Sequence, residues 1–247
     1  MNHITLKSVT LKYYKNQSNI RNIKDFFLEK KSSITSIVNN KFTALDNINL
    51  DLRQNDKLGI VGSNGAGKSS LLKIISRIHK PDEGTVSVNA KVVSLLELGA
   101  GFMPELTGRE NIQLYCSILG MTKEKIKSIE KEIINFSEIP DFIDTHIKYY
   151  SSGMLVRLAF SIVSHIDFDA LILDEIFAGG DIGFIEKSSK KLDEMIDKSK
   201  ILIIVSHDME HIRKYCNKVL WLYEGKIKLI GPPEEVIKKF EQSFKLT

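Results

Sequence analysis

The fold is decided by a nine-residue stretch: Gly62-Ser63-Asn64-Gly65-Ala66-Gly67-Lys68-Ser69-Ser70. It fits the pattern Gly-x-x-x-x-Gly-Lys-Ser, which is typical of a phosphate-binding loop (P-loop). Residues 57–61, directly before it, are a short apolar run of the kind found in buried strands, and residues 69–75 have the spacing of an amphipathic helix. Strand, glycine-rich turn and helix therefore follow one another in the order that this motif requires.

The residue types in this loop suit a nucleoside triphosphate. Glycines allow the backbone to bend so that its N–H groups face phosphate oxygens, and the positive end of the helix dipole points at the same place. The Lys68 ammonium can reach the β- and γ-phosphates, and the Ser69 hydroxyl can bind Mg²⁺. The alternative is a glycine-rich turn that binds nothing. Each further residue group in the chain that suits a phosphate site makes this alternative weaker.

The composition is that of an ordinary globular protein. The chain has 247 residues, of which 43% are hydrophobic and 27% are charged. No run approaches the ~18 apolar residues of a membrane span, and the N-terminus lacks the build of a signal peptide. The two cysteines, Cys116 and Cys216, have no motif spacing, which favours free thiols in a reducing cytosol.

The positive charge is concentrated near the N-terminus. From Lys12 to Lys41 there are seven basic and two acidic residues, which gives this segment a net charge of +5. The net charge of the whole chain is +4, so the remaining residues together carry −1. We call residues about 15–41 the basic insert. It could dock something anionic, or it could be a solvated loop whose lysines serve solubility. Apolar residues at helical spacing near 19–31 could face the core, a membrane or a partner helix.

The hydrophobic periodicity predicts an α/β protein with one largely helical region. Expected strands lie near residues 4–9, 42–52, 57–61, 85–88, 91–96, 170–173 and 201–205, followed by a hairpin at 219–223 and 226–229. Expected helices lie near residues 69–75, 108–119, 123–136, 140–145, 154–166, 185–198 and 232–244. Because residues 98–167 contain no convincing strand, we expect a helical subdomain there, inserted into the α/β body.

Three of the expected strands end in polar groups. The strand at 57–61 leads into the P-loop, that at 170–173 ends in Asp174 and Glu175, and that at 201–205 is followed by His207. In a parallel sheet the carboxyl ends of strands share one edge, so these groups should meet at one nucleotide. Asp174 would hold the Mg²⁺ shell, Glu175 would act as general base or orient the attacking water, and His207 would contact the γ-phosphate or hold that water.

A zinc site is the competing interpretation of this last group. His207 and His211 are four residues apart, as in helical zinc motifs, but the residue after the first histidine is Asp208 and not glutamate. No third ligand is evident in the sequence. We therefore interpret His211 as a surface residue.

With these motifs in place, the chain resembles the ATP-binding subunit of ABC transporters over essentially its whole length. The diagnostic segment is Tyr150-Ser151-Ser152-Gly153-Met154, followed by Arg157. It is similar to the family signature Leu-Ser-Gly-Gly-Gln, with three changes at five positions. In the family this serine-glycine corner closes on the γ-phosphate bound by the other subunit. A plain helix N-cap at Ser151 is also compatible with the segment.

The resemblance implies a single ABC ATP-binding domain over residues 1–247, with a P-loop NTPase core, an antiparallel β subdomain and the inserted helical subdomain. Tyr13 would stack on adenine, with its neighbour Tyr14 as the alternative. Asp181 would belong to the D-loop. Glu97 lies where the family has its Q-loop glutamine, so either it replaces that metal contact or the contact is lost.

Within the family, the signature segment, the stretch from 97 to 111 and the basic insert are similar to exporters of bacterial cell-surface polysaccharides such as O-antigen, teichoic acid and capsule. The resemblance implies ATP and Mg²⁺ as cofactors and a homodimer, since the chain has one P-loop and one signature segment. It also implies two copies of an integral membrane permease that carries the lipid-linked polysaccharide, and a place at the cytoplasmic face of the bacterial inner membrane.

Two other functions from different classes are weighed against this one. A soluble ABC protein acting on DNA or ribosomes usually carries long coiled coils or two ATPase modules, and this sequence shows neither, so no nucleic-acid partner is expected. The ATPase of an importer or a drug exporter is disfavoured by the basic insert and by the signature segment.

Overall fold

A computed structural model of the chain describes residues 2–14, 41–96, 98–174 and 182–244. The expectations placed on most of the basic insert, and on Glu97, Glu175 and Asp181, concern residues outside this described part.

The described residues form strands and α-helices that alternate along most of the chain. The strands are β1 (His3–Tyr14), β2 (Lys41–Arg53), β3 (Lys57–Val61), β4 (Glu83–Asn89), β5 (Val92–Ser94), β6 (Ala170–Asp174), β7 (Ile201–Val205), β8 (Lys218–Tyr223) and β9 (Lys226–Gly231). The helices are α1 (Lys68–Ile75), α2 (Gly108–Ile118), α3 (Lys123–Ser137), α4 (Ser152–Val163), α5 (Ile182–Lys198), α6 (Met209–Tyr215) and α7 (Pro233–Phe244). Among them, none combines the length and the apolar character needed to cross a lipid bilayer.

The central element is a six-stranded sheet in the order β5-β6-β7-β3-β8-β9. All neighbouring strands are parallel except β9, which pairs antiparallel with β8 and forms the expected hairpin. The register places Ile60 and Asp174 opposite Val205, so β3, β6 and β7 end at the same edge. The crevice for a ligand in such a sheet lies beyond that edge.

A second, three-stranded antiparallel sheet has the order β2-β1-β4. It packs over α1, and the two share a buried core with one face of the larger sheet. Leu71 and Leu72 of α1 are fully buried in this core, and each contributes roughly 1.5–3 kcal/mol relative to an exposed side chain. The start of α1, which follows the P-loop, is therefore fixed between two sheets.

The other face of the larger sheet is covered by a second core, built with α2 to α7. Both cysteines lie in it as free thiols. Burial raises the pKa of Cys116 to about 11 and that of Cys216 to about 12, so both stay protonated at neutral pH. The expectation of two free thiols is confirmed.

Between β5 and β6 the described chain forms helices, 3₁₀ turns and loops, with one isolated bridge that joins Thr107 to His146. The capping box predicted at the start of α2 is confirmed: the Thr107 hydroxyl accepts from Glu110 N–H at 3.2 Å, and the Glu110 carboxylate accepts from Thr107 N–H at 2.8 Å. This region carries α4, whose first turn holds the signature segment.

One expected helix was wrong, and one helix of the structure was not predicted. Residues 140–145 do not form a helix but a single 3₁₀ turn, Pro140–Phe142, followed by another at Ile147–Tyr149. The reason is that the carbonyls of Ile143 and Thr145 accept hydrogen bonds from the first N–H groups of α2, so they cannot extend a helix of their own. The opposite error was α6, a short helix that the sequence did not predict, although Asp208 caps it through Glu210 N–H at 2.9 Å.

Candidate functional site

The P-loop runs from the end of β3 to the start of α1 in a path that two of its glycines make possible. A Cβ on Gly62 would lie 2.4 Å from the backbone oxygen of Leu222, and a Cβ on Gly67 would lie 2.5 Å from that of Ala44. Gly67 is also the N-cap of α1, with a φ of +104°. Any side chain at these two positions would push the loop away from the strands beneath it.

The loop is held in shape by the turn between β8 and β9 as well as by its own bonds. Ala66 N–H donates to Ser63 O at 3.1 Å, and Gly225 N–H donates to Ala66 O at 3.0 Å. Gly225 O in turn accepts from Asp46 N–H at 2.9 Å. The sequence identified Gly225 only as part of a hairpin turn, because nothing local to it shows that the turn touches Ala66, far earlier in the chain.

Lys68 lies over the loop. Its ammonium donates to Gly62 O at 2.7 Å and to Ser63 O at 3.2 Å, so a positive charge is fixed above the glycine-rich turn. The hydrogen bond from Leu71 N–H to Gly67 O, at 2.9 Å, closes the first turn of α1. The N–H groups that precede Leu71 point out of the start of this helix. Positive charge and aligned N–H groups together favour an anion at this point.

A cavity of about 320 Å³ opens over the loop, and its size suits a small-molecule site. It is lined by P-loop residues, by the two strand-end groups Asp174 and His207, and by three residues of the antiparallel sheet. The lining residues are Tyr13, Phe42, Ala44, Asn64, Gly65, Gly67, Lys68, Ser69, Ser70, Asp174 and His207. The structure thus brings together groups from the ends of β3, β6 and β7, as their positions in the sequence predicted.

The structure distinguishes Tyr13 from its neighbour Tyr14. Tyr13 lines the cavity, and its hydroxyl accepts a long hydrogen bond of 3.5 Å from the Ser70 hydroxyl. Tyr14 is 58% exposed, with the ammonium of Lys41 at 5.1 Å from its ring centroid. Successive side chains of a strand point to opposite faces, which explains why only one of the two tyrosines faces the cavity.

Phe42 and Ala44 line the cavity but were not predicted from the sequence. Phe42 is the Cα partner of Tyr13 in the ladder between β1 and β2, so the two aromatic rings stand at the same level of the sheet. The segment from 15 to 40 separates these partners in the chain. Only the pairing of the two strands, which the sequence does not display, could have revealed Phe42.

The histidine pair does not form a metal site with other described residues. His207 is exposed at the cavity, whereas the Nε2 atom of His211 lies 3.8 Å from an oxygen of Asp208. Within the described part of the chain, no three histidine, cysteine or acidic side chains lie close enough to hold a metal ion. Asp208 has another task, since its carboxylate caps α6.

The signature segment lies apart from the cavity. Ser151 is the N-cap of α4 and accepts from Met154 N–H at 3.2 Å, as its N-cap interpretation predicted. Ser151 and Ser152 are exposed and Gly153 is half-buried, and none of them lines the cavity over the P-loop. The start of α4 is therefore presented at the surface of the chain.

Comparisons with known proteins agree with this geometry. The chain is 38% identical over 221 residues to the O-antigen export system ATP-binding protein RfbB of Klebsiella pneumoniae, with 90% of each protein covered. It is 44% identical over 201 residues to the teichoic acids export ATP-binding protein TagH of Lactococcus lactis subsp. lactis (strain IL1403), covering 81% of this chain and 43% of that protein. A solved ATP binding subunit of an ABC transporter has the same fold, with a TM-score of 0.71 at 18% identity, and covers 96% of this chain and 93% of its own.

The expected fold class, an α/β P-loop core with an antiparallel β subdomain and an inserted helical part, is confirmed by this structural similarity and by the two sheets. The family described as ABC transporter matches residues 45–178, a stretch that contains the P-loop, the signature segment and β6. With a family match over more than half of the sequence, and with relatives that align over most of it, this chain belongs to the ABC transporter family.

Proposed function

We propose that this protein is the ATP-hydrolysing subunit of an ABC transporter that exports a lipid-linked cell-surface polysaccharide such as O-antigen. The observation that carries the ATPase assignment is the single cavity that joins the P-loop to Asp174 and His207. The export assignment rests on the two relatives named for O-antigen and teichoic acid export, one of which aligns over 90% of both chains.

The chain's own groups suit the parts of an ATP molecule. Backbone N–H groups of the P-loop and the start of α1 would hold the phosphates, and the Lys68 ammonium would leave its loop carbonyls to bind their oxygens. Ser63, Asn64, Gly65 and Ala66 would contribute to the same cradle. Tyr13 would stack on the base at the other end of the cavity.

The residues also fit a magnesium ion. A serine hydroxyl and a carboxylate, Ser69 and Asp174, line the same cavity, and hard oxygen ligands of this kind suit Mg²⁺. Bound there, Mg²⁺ would offset negative charge on the phosphates. Glu97, at the position of the family's Q-loop glutamine, is the candidate for a further oxygen ligand.

Hydrolysis needs a group that prepares water, and we assign this to Glu175, with His207 as the residue that holds the γ-phosphate or the water. His207 stands at the cavity, and Glu175 follows Asp174 directly in the sequence. A carboxylate accepts the proton of the attacking water, or orients that water, in the transition state.

The active form would be a homodimer. The chain presents its one signature segment at the surface, away from its own P-loop cavity. Ser151, Ser152 and Gly153 would therefore close on the ATP of a second copy, with Asp181 near the same interface. Two ATP molecules would be enclosed, and hydrolysis would reopen the pair.

A membrane permease, encoded by another polypeptide and present in two copies, would bind this dimer at the cytoplasmic face of the bacterial inner membrane. The lipid-linked polysaccharide would reach the transporter through that permease. The positive charge of the basic insert, +5 from Lys12 to Lys41, is compatible with an anionic substrate near the membrane.

Co-purification with candidate permeases, followed by ATPase assays with and without added lipid-linked glycan, tests this proposal. We expect a stable complex whose ATP turnover rises when glycan is added. A turnover that responds to a drug-like compound or needs a periplasmic binding protein, with no response to glycan, would favour another class of ABC transporter. Tight binding to DNA or ribosomes, with no permease complex, would favour a soluble ABC protein.

A further inference from the structure

The residue that ends α3 has an unusual backbone for its type. Glu138 is the C-cap of α3 and adopts the left-handed conformation, with φ 56° and ψ 30°. Helices often end on a residue in this conformation, but it is usually glycine and sometimes asparagine, because other side chains clash there with the backbone. A glutamate at this position is locally unfavourable compared with glycine, so the contacts of its side chain are of interest.

The carboxylate of Glu138 bridges two other helices. One oxygen lies 2.8 Å from the ammonium of Lys187 in α5, and the other lies 3.6 Å from the guanidinium of Arg157 in α4. Arg157 is six residues beyond Ser151, on the helix that begins with the signature segment. Its side chain is only 14% exposed, so the guanidinium is largely removed from water.

Each of the two cations that pair with this carboxylate also contacts an aromatic ring. The guanidinium of Arg157 lies 5.0 Å from the ring centroid of Phe184 in α5, and the ammonium of Lys187 lies 4.5 Å from that of Phe136 in α3. The Lys187 ammonium also donates to Phe136 O at 3.1 Å, and the two rings are 6.0 Å apart in an edge-to-face contact. Both distances between cation and ring are within the range of cation–π attraction.

We name Glu138, Arg157, Lys187, Phe136 and Phe184 the three-helix junction. It joins the signature helix α4 and the preceding α3 to α5, the helix that follows the strand ending in Asp174. The Glu138 carboxylate is 43% exposed and pairs closely only with the partly exposed Lys187, while the buried Arg157 guanidinium, at 3.6 Å, also packs on Phe184. Removing the carboxylate should therefore cost little stability, and glycine would suit the backbone of position 138 better. Stability alone therefore does not account for this glutamate.

We propose that Glu138 is a positioning residue for ATP hydrolysis, which sets the orientation of the signature segment relative to the catalytic edge of the sheet. Through Arg157 it fixes α4, and through Lys187 it fixes α5, so the start of α4 keeps one direction while ATP is enclosed. This proposal rests on the proposed function, since it needs a signature segment that closes on ATP.

Two substitutions separate this role from a structural one. Glu138→Gly relieves the left-handed backbone and removes both ion pairs, whereas Glu138→Gln retains the shape of the side chain and removes its charge. Glu186→Gln is the matched control, because Glu186 forms an exposed ion pair with Lys190 on the same α5, at 3.0 Å. Melting temperature, ATP affinity, and kcat and KM for ATP are measured on the full chain.

We expect Glu138→Gly to keep or raise the melting temperature and to bind ATP within about twofold of the wild type, yet to lose at least tenfold in kcat. Glu138→Gln should lose kcat similarly, and Glu186→Gln should change nothing. The double variant Glu138→Gln with Lys187→Gln should lose little more kcat than either single variant, because both substitutions break the same bridge.

Wild-type kcat in both Glu138 variants, or additive losses in the double variant, would overturn the proposal. A kcat that falls only where the melting temperature falls would also overturn it, because Glu138 would then have only a structural role. A wild-type chain that binds ATP but never hydrolyses it would overturn the proposed function and this inference together.

Discussion

The P-loop cavity and the signature segment are two halves of one predicted site, and they are built in opposite ways. The cavity is assembled within the chain from the P-loop, the ends of β6 and β7, and residues of β1 and β2, and two glycines of the P-loop pack against backbone oxygens. The signature segment stands exposed at the start of α4 and lines no part of that cavity. The comparison supports the proposal that one copy holds the triphosphate and that a second copy encloses it.

The two halves differ in how much of the chain packs against each backbone. The loop has no room for a side chain at Gly62 or Gly67, because strands and the β8–β9 turn lie directly against it. Ser151 is held by its cap to Met154 N–H, by the helix that follows and by the buried Tyr150 before it. In our proposal the phosphate-binding half is therefore held by several segments of the chain, whereas the direction of the closing half follows that of α4. Changes to the two halves should therefore have different effects.

The largest effect should come from Glu175→Gln. Removing the proposed base should lower turnover by roughly 10²–10⁴-fold, while ATP binding at the P-loop survives because no phosphate contact is lost. Single-turnover hydrolysis and an ATP-binding titration measure the two quantities. Undiminished hydrolysis in this variant would show that another group prepares the water.

Lys68→Ala should act on binding. A hydrogen bond to a charged group contributes ~1.5–3 kcal/mol, so ATP affinity should fall by about 10- to 100-fold. Fluorescence or calorimetric titration with ATP checks this. Lys73 lies on the same helix but not among the residues that line the cavity, so Lys73→Ala serves as control and should bind ATP normally. Equal affinities in both variants would contradict the P-loop assignment.

Ser151→Ala should distinguish a cap from a catalytic contact. Loss of an N-cap costs ~1 kcal/mol of stability, and Thr107→Ala, which removes the cap of α2 in the same region, should cost about as much. Only Ser151→Ala should also reduce kcat, by roughly tenfold, with little change in ATP affinity. Chemical denaturation and steady-state kinetics measure both. If the two variants lost the same kcat, Ser151 would be a cap and nothing more.

The smallest effect should come from Phe42→Ala. If Phe42 supports the adenine base beside Tyr13, removing the Phe42 ring should weaken ATP binding by ~0.5–1.5 kcal/mol, or about two- to tenfold in affinity. The affinity for inorganic tripolyphosphate should stay unchanged. Phe142 has almost the same exposure, 51% against 49%, but lies far along the chain on a 3₁₀ turn, so Phe142→Ala is the control. A loss that is equal for ATP and tripolyphosphate would contradict a contact with the base.

The sequence was most informative where a local pattern is sufficient. The P-loop, the buried strands β3 and β7 and the capping box of α2 needed only neighbouring residues, and their bounds agree with the structure. The sequence was least informative where contacts between distant segments determine the local structure. Three features join residues that are far apart in the chain: α2 bonds to the carbonyls at 143 and 145, Phe42 lies beside Tyr13, and Gly225 contacts the P-loop.

The signature segment shows a third situation. Its N-cap was predictable from Ser151, and its exposure agrees with a role toward another copy, but one chain cannot display the contact that we propose for it there. The junction at Glu138 belongs to the same category, because a glutamate after a helix gives no local sign that it joins two other helices.

The central claim is that ATP bound at one P-loop is enclosed by the signature segment of a second copy, and sedimentation velocity of the Glu175→Gln variant tests it most directly. The matched variant adds Gly153→Asp, a change with room to be accommodated, since the nearest atom to a Cβ there is the Ser151 hydroxyl at 3.8 Å. Its negative charge would repel a phosphate. We predict that Mg-ATP converts Glu175→Gln from monomer to dimer, and that the Gly153→Asp form binds ATP but stays monomeric. A chain that stays monomeric at saturating ATP, or one that dimerises equally well with aspartate at position 153, would contradict the account.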